Sequence, residues 1–89
     1  MKKAAEVWPV ASFIEEEMEA RGWTRTRLAA EMGCSASTLA RIMAGRKLTR
    51  YGAACLALAF STGSGYWLRL DRAFWQSLRE KLDESQERP

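Results

Sequence analysis

Apolar residues recur along this chain at helical spacing, and the breaks between them fall on glycines and hydroxyl side chains. Val10, Phe13, Ile14 and Met18 share one face of a first predicted helix over 9–21, which Pro9 opens at its first position and Gly22 ends. Thr24 is a good N-cap for a short second helix, 24–32, whose inner face is Leu28, Ala29 and Met32; Gly33 breaks it. Ser35 caps a third over 35–44, where Leu39, Ile42 and Met43 turn inward and Ala36, Ser37, Thr38 and Arg41 are left outside. Gly45 closes that helix, residues 46–48 form a basic loop, and Thr49 caps a fourth helix, 49–61, with Ala53, Leu56, Ala57 and Phe60 on one face. The polar stretch 61–64 leads into a fifth, roughly 65–82. With no strand-like alternation anywhere, the pattern predicts an all-α domain.

The fifth helix carries more apolar surface than one small core requires. Trp67, Leu70, Phe74 and Leu78 form one stripe, and Leu68, Trp75 and Leu82 form a second at a spacing of seven. The first stripe is expected to serve the core and the second to meet a dimer subunit or partner, the alternative being that Trp75 folds back over the first helix. Eighty-nine residues leave room for one core, so we read a single domain over 1–82 and a polar C-terminal tail over 83–89.

Composition narrows the chemistry. The chain has no histidine, and Cys34 and Cys55 lie far apart without a CxxC, which argues against a zinc site, a metal or a His-dependent triad. Free cysteines in a reducing compartment fit better than a disulfide. The Glu15-Glu16-Glu17 run reads as a solvated face, and with no paired-acid cleft or Gly-rich phosphate loop an enzyme and a cofactor are not expected. No apolar run approaches the roughly 18 residues of a membrane span, and the N-terminus leads into no apolar signal core, so the expected location is the cytoplasm.

The net charge of +3 hides an uneven distribution. Between residues 20 and 50, Arg21, Arg25, Arg27, Arg41, Arg46, Lys47 and Arg50 stand against Glu31 alone, whereas residues 1–19 are net acidic and 51–89 balance. A clustered positive field suits a polyanion. The basic segment coincides with two short helices joined by a Gly-containing turn, the second bare of large apolar groups on its outer face. That is a helix-turn-helix at about 24–44, with small Ala29 at the helix crossing, Gly33 in the turn, and Leu39 and Ile42 as anchors.

Side-chain chemistry assigns the roles. Arg41 suits a bidentate contact to guanine O6 and N7, with pairing to Glu31 as the alternative. Ser37 and Thr38 are short enough for the helix to enter the major groove, and the Ala36 methyl suits a thymine methyl. Arg25, Arg46, Lys47 and Arg50 are candidates to hold phosphate and set the docking register, with Thr24 beside them. Three or four such contacts per subunit of a dimer imply a log–log salt slope of roughly −5 to −7. Trp23 is expected to seal the corner between the first two helices.

The stretch Arg21-Gly22-Trp23-Thr24-Arg25, with Leu28-Ala29, Gly33, Ser35, Leu39-Ala40-Arg41-Ile42, Gly45-Arg46-Lys47 and Leu48-Thr49, resembles the Xre/Cro-type repressor family. More narrowly, Ala57 leads through Phe60 to Tyr66-Trp67-Leu68-Arg69-Leu70, which is similar to the aromatic-Trp-Leu segment of the HigA-like antitoxin branch. The resemblance implies a five-helix, lambda-repressor-like fold and a two-fold dimer on a palindromic double-stranded operator. It further implies repression of its own operon and neutralisation of a HigB-like ribonuclease toxin. Carried over by position, the base readers fall on Ala36, Ser37 and Arg41 with Thr38 near phosphate, the phosphate contact of the second helix falls on Arg25, and Arg46 and Lys47 occupy the loop that follows the recognition helix. Arg25 stands where the family usually has Gln, Cys34 replaces a usual aliphatic residue, and Ala44 replaces the frequent Asn before the glycine. Two other readings stay open: a phage or plasmid regulator with no toxin, and a protein-interaction module that has lost DNA binding.

Overall fold

The computed structural model describes residues 7–87, and among these it contains five helices and no strand: α1 (Val10–Arg21), α2 (Arg25–Met32), α3 (Ala36–Met43), α4 (Arg50–Phe60) and α5 (Ser64–Glu87). Three of the helix starts are set by the side chains expected to set them. The Thr24 hydroxyl oxygen accepts from the Arg27 N–H at 3.1 Å, that of Ser35 from Thr38 at 3.2 Å, and that of Thr49 from Gly52 at 3.0 Å. Each satisfies an N–H that has no intrahelical acceptor. Pro9 sits one position before the helix, as the N-cap of α1, and its carbonyl accepts from Ser12.

Gly33 is the turn of the helix-turn-helix. At φ +66° it takes the left-handed conformation that a Cβ disfavours, and Cys34 donates its N–H back to the Ala29 carbonyl at 3.1 Å. That bond folds α3 against α2 within three residues.

The core is built from the inner faces of all five helices. Ile14, Leu28, Met32, Leu39, Leu56 and Trp67 are its fully buried large side chains, each stabilising the fold by about 1.5–3 kcal/mol or more through the area removed from water. An aromatic column runs through it: Trp23 stacks on Phe60 at 5.7 Å between centroids, and Phe60 meets Trp67 at 5.5 Å. Trp67 donates its indole N–H to the Thr62 hydroxyl at 2.7 Å, so its polar edge is satisfied as its ring is buried. Trp23 therefore closes the α1–α2 corner against α4, with the Arg21 and Arg27 guanidiniums over its ring at 5.5 and 5.2 Å.

The end of α5 departs from the expectation. It runs to Glu87, five residues past the predicted end, because residues 66–87 contain neither glycine nor proline and the charged side chains near its end are good helix formers. Residues 83–87 thus continue the helix rather than form a tail; residues 1–6 of the expected domain and 88–89 of the expected tail lie outside the described residues. The two stripes of α5 also divide differently. Trp67 is buried and Leu70 packs on the core, but Leu78 at the far end of the expected inner stripe is exposed. Of the expected outer stripe, Leu68 is half-buried against the core and Leu82 stands exposed. Trp75 is half-buried beside the loop between α3 and α4 rather than folded over α1, because its indole N–H donates to Asp71 at 3.1 Å.

Candidate nucleic-acid interface

The outer face of α3 is polar and small. Ala36, Ser37, Ala40 and Arg41 are exposed, and Leu39, on the opposite side, is buried. At its N-terminus three hydroxyls form one network: Ser35 Oγ lies 3.1 Å from Ser37 Oγ and 3.0 Å from Thr38 Oγ1. The cap thus orders two of the candidate contact residues as well as starting the helix.

One cavity of about 220 Å³ gathers most of the cationic candidates, lined by Thr38, Arg41, Ile42, Arg46, Lys47, Thr49, Tyr51 and Gly52. It lies where α3, the following loop and the start of α4 converge. Gly52 lets these elements pack closely, because a Cβ there would stand 3.1 Å from Leu48 Cδ1 and 3.3 Å from Ile42 Cδ1 and would press on both side chains. The cations lining it, together with Arg25 and Arg50, are unneutralised among the described residues. Glu31 is taken by Arg27 at 2.8 Å and Glu17 by Arg21, while Arg25, Arg41, Arg46, Lys47 and Arg50 have no carboxylate partner among the described residues. The Arg41–Glu31 pair that competed with a DNA role does not form, because Glu31 lies one turn from Arg27 on α2.

The loop carrying Arg46 and Lys47 is held from behind. Asp71, a buried carboxylate on α5, accepts the Leu48 N–H on Oδ2 at 3.0 Å and the Trp75 indole N–H on Oδ1 at 3.1 Å. A backbone N–H tied to a carboxylate is a strong, charge-assisted restraint, and buried Leu48 adds an apolar anchor at the same point. The two cations just before Leu48 are therefore presented on an ordered loop.

The other expected residues are placed less tightly. Ala36 and Ser37 lie at the α3 N-terminus, and Thr24 and Arg25 at the α2 N-terminus; none of the four lines the cavity. Thr24 already uses its hydroxyl oxygen as the α2 cap. Arg50 faces a second, larger groove on the far side of the loop, and Lys47 lines both.

Tyr51 and Asp71 escaped the sequence reading. Tyr51 is exposed at the cavity rim, and hydrogen bonding to the neighbouring Cys55 thiol, with the charge of that group next, pushes its phenol above the ordinary range. At neutral pH it is a hydroxyl able to donate to a phosphate oxygen. The apolar periodicity of α4 gave no reason to single it out. Asp71 sits among alternating charges in a helix, and its role depends on a partner 23 residues away. Both cysteines are free, and burial first, then Cys55, pushes the Cys34 thiol up.

A short helix with a small polar outer face, docked at a tight glycine turn and flanked by unpaired cations, defines a DNA-binding helix-turn-helix domain. The family comparison agrees: a helix-turn-helix domain model matches residues 10–60, more than half the chain, and the protein belongs to that family. It is a DNA-binding regulator by class. No curated protein matches the chain. No helix among the described residues is long and apolar enough to cross a membrane.

Proposed function

We propose that the protein is a transcriptional repressor that lays α3 in the major groove of double-stranded DNA, with Arg41 as the principal base reader and Ala36 and Ser37 beside it. Thr24, Arg25, Thr38, Arg46, Lys47 and Arg50 hold phosphate and fix the register. The observation that carries this reading is the unpaired Arg41 on the exposed face of α3, sharing one cavity with Arg46 and Lys47 of the clamped loop. A cation left without a carboxylate at the rim of a basic cavity fits an absent anion better than a role in folding. The weak hydrogen-bonding capacity of Ala36 concentrates direct readout on Arg41.

In the fuller form of the proposal the protein acts in the cytoplasm as a homodimer on a palindromic operator of its own operon and neutralises a HigB-like toxin. The antitoxin role is supported by the Tyr66-Trp67-Leu68 resemblance, in which Trp67 is a core residue whose indole N–H is held by the Thr62 hydroxyl. The dimer is supported by the exposed apolar end of α5, Leu82 and Leu78.

The test is binding to the DNA upstream of its own gene, against a scrambled duplex, across a salt series, with Arg41→Ala alongside. We expect preference for the native duplex, a steep salt slope, and loss of preference in the variant with affinity for the scrambled duplex largely kept. Equal and feeble binding to both duplexes would overturn the repressor reading and favour an interaction module. Rescue of growth by this protein from the product of an adjacent toxin-like gene would support the antitoxin role; no effect on any neighbouring product would favour a regulator without a toxin.

A further inference from the structure

On the far side of the clamped loop lies a larger open groove, about 730 Å³, between the loop, the start of α4 and the middle of α5. Lys47, Arg50, Arg72 and Arg79 supply four cations to its lining, with Trp75 and Gln76 between them. Its one acidic lining residue, Asp71, is buried and has each carboxylate oxygen engaged, one by the Leu48 N–H and one by the Trp75 indole. Asp71 therefore leaves the guanidiniums free, and among the described residues neither Arg72 nor Arg79 makes an ion pair. Arg72 and Arg79 are seven residues apart, which puts them on one side of α5 about 10 Å apart along its axis.

We infer that this groove is a second phosphate-binding surface for the same duplex, extending the protein's grip beyond the base pairs that α3 reads. The inference rests on the DNA-binding reading above and adds Arg72 and Arg79 to it. Three observations select a nucleic-acid backbone over an acidic protein segment. Lys47 lines both cavities and so links the cations around Arg41 to those around Arg72 and Arg79. The groove is open rather than enclosed, so an extended partner can reach its cations. Its cations are dispersed over loop, α4 and α5, which suits spaced phosphates rather than one carboxylate cluster. The Trp75 ring, fixed at its N–H edge by Asp71, supplies a rigid wall between the two arginines.

The test compares salt slopes on the duplex upstream of the protein's own gene for wild type, Arg72→Gln/Arg79→Gln, Arg72→Lys/Arg79→Lys, and a charge-matched control, Arg69→Gln/Lys81→Gln. Arg69 and Lys81 are exposed on α5 but do not line the groove. The glutamine pair should lower the slope by roughly 2 per bound subunit while leaving the native-to-scrambled preference unchanged. The lysine pair should restore the slope, and the control should leave it close to wild type. An unchanged slope in the glutamine pair would overturn the inference alone, as would an equal drop in the control, which would mean that overall charge is responsible. A glutamine pair with the wild-type slope but altered self-association would likewise overturn it and assign the groove to a second copy. Absence of salt-dependent binding by the wild type would overturn this inference together with the reading on which it rests.

Discussion

Arg41 and Lys47 line one cavity, yet their removal is expected to fail in different ways. Arg41 projects from the exposed face of α3, the position proposed for base reading, whereas Lys47 projects from the following loop, the position proposed for phosphate. Lys47→Ala should weaken binding to all sequences about equally and reduce the salt slope by about 1, read from titrations on native and scrambled duplexes. Cys34 offers a separate check on the turn. Because burial raises its thiol above the ordinary range, the thiolate fraction at neutral pH is smaller than that of a free cysteine, and iodoacetamide should modify it slowly. The modification rate should keep rising with pH beyond the point at which a model thiol has reached its plateau. At this scale Arg41 was legible because the apolar anchors Leu39 and Ile42 leave it outside. Asp71 was not, because a carboxylate in a charged helix announces no partner until the chain brings Leu48 to it.

Among the elements, the loop between α3 and α4 depends most on a single contact. Asp71→Ala should leave two donors, the Leu48 N–H and the Trp75 indole, without their acceptor and cost about 1–3 kcal/mol. For a domain of this size that lowers Tm by several degrees, measurable by circular dichroism. DNA affinity should fall further than the stability loss accounts for, since Arg46 and Lys47 lose their ordered presentation; full affinity at a temperature where the variant is folded would remove the clamp from the site. The starts of α2, α3 and α4 were readable because Thr24, Ser35 and Thr49 satisfy backbone donors within three residues. The end of α5 was misread because charged residues late in a helix look like a tail when no stop signal is weighed against their good helix propensity.

The exposed carboxylates of α1 and the unpaired cations of α3, the loop and α5 occupy different elements, and the exposed Leu82 and Leu78 lie near the end of α5. If that end joins two subunits, Leu82→Glu should shift the protein toward monomer in sedimentation at micromolar concentration, without changing its helical content. An unchanged dimer would remove the end of α5 from the interface. The order of the five helices, the N-caps of α2 to α4, the inward faces of α1 to α4 and the basic segment were determined by the sequence, because periodicity, capping and charge are local or additive along the chain. Tertiary structure alone decided which cations share a cavity, that Glu31 answers Arg27 and leaves Arg41 free, and that Trp75 turns to Asp71 beside the loop. Those outcomes depend on contacts between residues brought together only when five helices close around one core, and no local spacing encodes them.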